Sequence, residues 1–354
     1  MKRIFIFSFF SNLLFLQSNL SQQLKKTIIL LLTIFIISCE KNSPDVSFYF
    51  WRTKFKLSKI EIQTITNNDV KKIYLRYFDV ALQNGNALPV SPVSISENLK
   101  NIQIVPVVFI KNEVFLSSKT NTIELSQNIF KLITQINTKH KINCKEIQID
   151  CDWSVESQKK YFKFIEDFKK LSSNKISATI RLHQVKYHNK TKIPNVNDGV
   201  LMLYNMGKIG SDNRNSIYDA KTAEQYIKFL DEYPLEINVA LPIFSWAIHI
   251  RNNQVINLIG KVNNSNFTSD KNFKTYKDNF FKVQENQLKM GFFFKKGDII
   301  KLETISKDNL SEMINQLSDN MESAPKEIIY YDLDEYNIKQ YNDESFFKKC
   351  NSWF

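Results

Sequence analysis

Asp150 and Asp152 stand two residues apart in the run Ile147-Gln148-Ile149-Asp150-Cys151-Asp152-Trp153-Ser154. Read as a strand, this run puts Ile147, Ile149 and Cys151 on one face and Gln148, Asp150 and Asp152 on the other. Two carboxylates on one face repel, so one holds its proton to higher pH than the other. Acid/base chemistry exploits that split. The competing reading is a structural acid ladder neutralised by Arg76, Arg181 or backbone amides.

Other polar and aromatic groups fall near the ends of further strand-like runs: Trp51, Arg76 with Asp79, Arg181 and His183, Tyr204 and Asn205, Ser245 and Trp246, and Asp332 and Asp334. Acids ringed by Trp and Tyr suit a sugar, whose apolar faces stack on rings while its hydroxyls meet carboxylates. Asp150 and Asp152 are therefore the expected catalytic pair. Trp51, Arg76, Arg181, His183, Tyr204, Asn205, Trp246, Asp332 and Asp334 are the expected substrate contacts.

These residues need a scaffold that gathers strand ends. Short runs rich in Ile, Val, Phe and Tyr at 47–51, 73–80, 102–110, 146–153, 176–183, 199–206, 237–246 and 327–334 have strand length. Amphipathic helical patterns occupy 125–140, 157–171, 220–233 and 307–321. About eight strand–helix repeats predict a (β/α)8 barrel of the TIM type, an α/β fold whose reactive groups sit at the C-terminal ends of the strands. Within the 247–305 stretch, hairpin patterns at 247–259, around Asn252-Asn253, and at 292–304, around Lys296-Gly297, predict a small β-containing insertion between the last two strands. The expected organisation is a signal segment over 1–39, a tether over 40–46 and a barrel domain over 47–354.

The N-terminus carries Lys25-Lys26, an apolar run over 27–37 and then Ser38-Cys39. That run is shorter than the roughly 20 residues a spanning helix needs, and it has the order of a secretory signal. The segment Ile36-Ile37-Ser38-Cys39 resembles the lipobox of bacterial lipoproteins, which implies cleavage before Cys39 and lipid on its sulfur. The expectation is a lipid-anchored, monomeric protein of the bacterial cell envelope that meets the membrane through Cys39.

The formal net charge is +12, and four of those positive charges precede Cys39 without an acid among them. The remaining lysines are scattered, without the clustering that nucleic-acid binding requires. Cys144, Cys151 and Cys350 form no metal-ligand spacing and no even-numbered disulfide framework, although Cys144 and Cys350 could pair. Seven glycines, none arranged as a phosphate cradle, predict no nucleotide cofactor. Four histidines without His-x-His or His-Glu-x-x-His spacing argue against a metal site built on Asp150, Asp152 and His183. No Gly-x-Ser-x-Gly elbow supports a serine nucleophile.

Asp150-x-Asp152-Trp153 resembles the Asp-x-Asp-x-Glu signature of the chitinase-like, family-eighteen glycoside hydrolases. Met202-x-Tyr204 followed by Asn205 resembles their sixth-strand Met-x-Tyr-Asp, and the position of the insertion is similar too. The resemblance implies a glycan ligand, an Asp152 that orients the substrate's acetamido group and a Tyr204 that assists it. The sequence departs from the family at the general acid, where Ser154 replaces Glu with Glu156 out of register, and at Asn205, which replaces Asp. A closer resemblance, through Ile147-Gln148-Ile149-Asp150-x-Asp152, Ser157-Gln158-x-x-Tyr161 and Arg76-x-x-Asp79-Val80, is to a group of uncharacterised bacterial barrel proteins. Two functions follow: a glycan-cleaving enzyme, or a glycan-binding protein that kept the cleft and lost the acid.

Overall fold

The computed structural model describes residues 43–97, 101–341 and 343–354. The expected signal segment, Cys39 and the start of the tether lie outside them. No helix among the described residues is long and apolar enough to cross a membrane.

Eight parallel strands close into a barrel: β1 (Asp45–Phe50), β2 (Lys72–Gln83), β3 (Gln103–Ile110), β4 (Glu146–Asp150), β5 (Lys175–Arg181), β6 (Asp198–Met202), β7 (Ile237–Pro242) and β8 (Glu327–Tyr331). Strand β1 pairs with both β2 and β8, with Phe48 opposite Ile73 on one side and Tyr330 on the other. Closure removes the exposed edges that an open sheet would carry. The fold is the (β/α)8 barrel that the repeat pattern predicts.

The helices form where the apolar stripes fall and are fixed by their caps. Asn121 accepts hydrogen bonds from the amides of Ile123 and Glu124 to start helix Thr122–His140, which ends where Lys141 turns left-handed. Ser306 and Asn309 cap helix Lys307–Asn320 reciprocally. The 220–233 pattern yields a shorter helix, Ala220–Ile227; beyond it Phe229 and Leu230 bond three residues back, in tighter turns ahead of Pro234.

One repeat departs from the predicted alternation. After β2 the described chain forms no helix before β3 but folds back as strand Asn86–Val90 across Asn84-Gly85, both at positive φ (51° and 80°). Asn-Gly is the pair that a two-residue hairpin favours.

The strand faces divide by chemistry. Ile147, Ile149 and Cys151 are fully buried in the apolar core, with the helices Thr122–His140 and Gln158–Leu171. A barrel interior is usually filled by Val, Ile and Leu; here much of it is polar. At the bottom Glu327 accepts from Ser47, Lys72 and Tyr74 at 2.6–2.7 Å, and Glu146 accepts from Ser177 at 2.7 Å. One layer up, Tyr49 donates to Gln148 at 2.7 Å.

On β6, a Cβ added at Gly199 would lie 2.7 Å from Ile237 Cδ1 and 2.8 Å from Ile180 Cγ1. Gly199→Ala is therefore expected to destabilise the protein by about 1–3 kcal/mol through overpacking. A urea midpoint equal to that of the wild type would contradict this.

The insertion follows β7. Its five-stranded antiparallel sheet has the order Gln254–Gly260, Trp246–Arg251, Ile299–Glu303, Phe280–Val283, Phe273–Lys277. The sheet packs on its own apolar cluster of Ala247, Ile259, Phe267, Phe273, Phe281 and Phe294. The first predicted hairpin forms, turning at Asn252-Asn253 with both φ positive. The second does not. Phe292–Phe294 pairs backwards with Gln287–Lys289 across Met290-Gly291, and Ile299–Glu303 joins the main sheet instead. Met290 and Gly291, with φ of 52° and 81°, form the two-residue turn of that pair. In this sheet Asp298 accepts from buried His249 at 2.7 Å and from Arg251 at 2.7 and 2.8 Å. Burial alone would raise its carboxyl pKa; the bonds from Arg251 and His249 hold it down at about 2.

Cys144, Cys151 and Cys350 are free thiols, so Cys144 and Cys350 do not pair. Cys144 meets Asn137 and Asn174, and Cys350 is buried near Tyr330.

Candidate functional site at the barrel mouth

The inward residues of β4 climb the barrel against those of β5. Asp150 accepts from Thr179 Oγ1 at 2.7 Å, and Asp152, just past the strand end, is bonded by Arg181 Nε. This ordering follows from the parallel register, in which Gln148 lies opposite Ser177 and Ile149 opposite Ala178. Asp150 is buried, whereas the Asp152 side chain is half exposed at the rim.

Burial pushes the Asp150 carboxyl up to about 6; Arg181 pulls against that shift and Asp152 adds to it. Burial also works against the Arg181 charge, but Asp150 and Asp152 more than offset it and hold the guanidinium protonated. Asp150 is thus raised by burial first, with Asp152 a lesser cause, and the pair is met by Arg181, one of the partners that the structural reading names.

A cavity of about 330 Å³ opens beside this pair, lined by Asp152, Arg181, His183, Met202, Tyr204 and Asn205 among others. Tyr204 is buried, with its hydroxyl 3.0 Å from Met202 Sδ. Asn205 is exposed and left-handed, with φ of 56°; Asn tolerates that conformation better than most side chains.

An aromatic wall completes the mouth. Its hub is Tyr331, at the end of β8, with ring centroids 5.5 Å from Trp51, 5.7 Å from Tyr49, 5.5 Å from Tyr204 and 5.8 Å from Phe244. Phe244 continues to Trp246 at 5.2 Å. Asp332 follows Tyr331 and accepts from Asn337 at 2.6 Å. Burial, with Asp334 second, raises the Asp332 carboxyl to about 6 against the pull of Lys261 and Arg52.

Several expected contacts are placed differently. Strand β5 ends at Arg181, so His183 sits on the short helix Leu182–Lys186, exposed at the rim; partial burial and Arg181 lower its pKa. Strand β7 ends at Pro242, and Trp246 opens the insertion's sheet, reaching the mouth through Phe244. Arg76 is buried and held by Asp79 at 2.7 Å and the Ser91 carbonyl at 3.4 Å. Asp334 caps helix Glu335–Lys339 and pairs with Lys261 at 2.6 Å, so its carboxylate serves the architecture.

Ser154 holds no acid. Its carbonyl accepts from the amides of Ser157 and Gln158 at 3.1 and 2.9 Å, in the turn that leads into helix Gln158–Leu171. Glu156 is fully exposed to solvent, its pKa lowered first by a hydrogen bond from Ser154.

Sequence reasoning missed Tyr331, Phe244, Tyr49 and Thr179. Parity finds the first: with Glu327 facing inward, period two brings Tyr331 to the same face. The same count from Arg181 finds Thr179.

The barrel resembles in fold those of several glycan-degrading enzymes. It is similar to the Bacillus cereus spore cortex-lytic enzyme SleL, at 13% identity over 88% of this chain and 74% of that one, with a TM-score of 0.55. It is similar to a chitinase from Chromobacterium violaceum, at 8% identity over 88% and 99% of the two chains, with a TM-score of 0.52. It is also similar to a class V chitinase mutant from Cycas revoluta in complex with (GlcNAc)3, at 9% identity over 87% and 98%, with a TM-score of 0.50. At these identities the likeness is one of fold. No family model and no curated protein matches the chain.

Proposed function

We propose that the protein is a glycan-binding lipoprotein of the bacterial envelope, a chitinase-like barrel that holds a sugar chain at its mouth without cleaving it. One observation carries the reading: where the family resemblance implies a general acid the chain has Ser154, tied into a helix-starting turn, while the barrel mouth keeps a continuous aromatic wall. The fold and the wall favour a glycan, and N-acetylglucosamine oligomers are the first ligands to test, because a neighbour of this fold is held in complex with (GlcNAc)3. Asp152 contributes acceptor oxygens at the rim, oriented by Arg181. Asp150 and Thr179 form the floor beneath it.

A hydrolytic reading has two raised carboxyls in its favour. Burial pushes Asp150 and Asp332 each up to about 6, so an appreciable fraction of each carries a proton in mildly acidic to neutral solution. The test is the full chain against bacterial, host and plant glycans, scored for retention and for released reducing ends. Retention without release supports the binder. Release that is lost in Asp332→Asn would establish the enzyme.

Anchoring is tested separately. Radiolabelled palmitate is expected to enter the wild type and not Cys39→Ala; equal labelling of both would end the lipoprotein reading.

A further inference from the structure

Trp246 closes one end of the aromatic wall, and its ring is held from behind. Its indole Nε1 donates to Glu303 Oε2 at 2.7 Å, and the two residues lie directly opposite in the insertion's sheet. The same carboxylate oxygen accepts from Ser216 Oγ at 2.5 Å, while Oε1 meets Lys301 Nζ at 2.5 Å. Lys301 in turn donates to the Arg214 carbonyl at 2.5 Å. Glu303 and Lys301 are 2% and 3% exposed, on the wall of a cavity of about 510 Å³ between the insertion and residues 213–215.

Arg214 and Ser216 belong to the loop that leaves β6 through Tyr204 and Asn205. That loop is closed on itself: the Asn205 amide donates to the Ile217 carbonyl at 2.9 Å and the Gly207 amide to the Ser216 carbonyl at 3.2 Å. A single buried carboxylate therefore joins two walls of the mouth, Trp246 from the insertion and the Tyr204-Asn205 side from β6. Burying an ion pair seldom adds stability over apolar packing, although removing one partner is damaging. A pair whose bonds reach two segments flanking a cleft fits a role in alignment.

We propose that Glu303 is a positioning residue that fixes the Trp246 ring relative to the Tyr204-Asn205 loop and so sets which glycan the mouth accepts. The inference rests on the glycan-binding reading and adds the residue that tunes it.

The test is a double-mutant cycle in the full chain, with (GlcNAc)3 and (GlcNAc)6 as probes. Glu303→Gln keeps the size and removes the charge; Trp246→Phe keeps a ring and removes the indole donor. Each single change is expected to weaken (GlcNAc)3 binding ~10-fold and to alter the affinity ratio between the two oligomers. The double variant is expected to be no more than about twofold worse than either single one, because both changes remove one shared contact. Additive losses near 100-fold, or a Glu303→Gln variant with wild-type affinity and ratio, would overturn the proposal.

The Trp246 indole N–H resonance, assigned through Trp246→Phe, gives a readout that needs no glycan. It is expected to exchange slowly in the wild type, and to shift and exchange faster in Glu303→Gln; an unchanged signal also overturns the proposal. Should the wild type bind no glycan while the indole responds as expected, the glycan reading falls and the positioning of Trp246 by Glu303 stands.

Discussion

Trp51→Ala is expected to weaken the binding of N-acetylglucosamine oligomers about 30-fold while leaving the barrel folded. Trp51 is half-buried, its ring edge-on to Tyr49 at 5.9 Å and tilted against Tyr331 at 5.5 Å. Those two rings fix its plane, so little freedom remains to be lost when a sugar stacks on the open face. Truncating a central aromatic anchor in a binding site typically removes about 2 kcal/mol, which corresponds to the stated factor. Because part of the ring is already in water, the loss in folding stability is smaller than for a core aromatic. Calorimetric titration beside circular dichroism separates the two effects. Wild-type affinity in a folded Trp51→Ala protein would remove the aromatic wall from the account.

The second large effect is on stability and pH. Asp332 has its carboxyl raised from an ordinary value of 3.8 to about 6, first by burial and then by Asp334. The unfolded chain releases this proton near pH 4 and the folded one near pH 6, so between those values the folded state binds more protons. Stability from this group is fully present below about pH 4 and is lost as pH rises through about 6. The difference between 3.8 and about 6 corresponds to at most about 3 kcal/mol. Asp150 acts in the same direction over the same window. Asp298, held at about 2, acts oppositely: its contribution is present above about pH 4 and is lost as pH falls through about 2.

Asp332→Asn removes the ionisation and can still accept from Asn337. It is expected to be more stable than the wild type at pH 7.5 by about 1–3 kcal/mol and nearly equal to it at pH 4. Urea midpoints at the two pH values decide the matter. Parallel changes in variant and wild type would mean that Asp332 is not a buried acid.

The parts of the fold that depend on local period were legible in the sequence. The eight barrel strands could be placed from apolar runs, and the Gln148-Asp150-Asp152 face from alternation alone, because a parallel strand with one face under helices has only one way to lie. The hairpin after β2 has its local signal in Asn84-Gly85, a turn that the strand–helix alternation does not predict.

What the sequence could not supply is which carboxylates are spent. Asp334 is absorbed by a helix cap and Lys261, and Asp79 by Arg76; each depends on a partner distant in the chain or on a side-chain direction. Trp246 shows the same limit. It follows β7 closely enough to read as its end, yet the strand stops at Pro242, and Trp246 reaches the mouth through the insertion and the carboxylate of Glu303.

The central claim is that the mouth binds a glycan without cutting it, and one sample can show both properties. The full chain is incubated with (GlcNAc)6 in slight excess over the ligand, separated by size, and the bound oligomer is weighed by mass spectrometry over several days. The account predicts that the hexamer co-elutes with the protein and is recovered intact, with the same recovery from Asp332→Asn. Shorter oligomers that accumulate with the wild type and not with Asp332→Asn would contradict it.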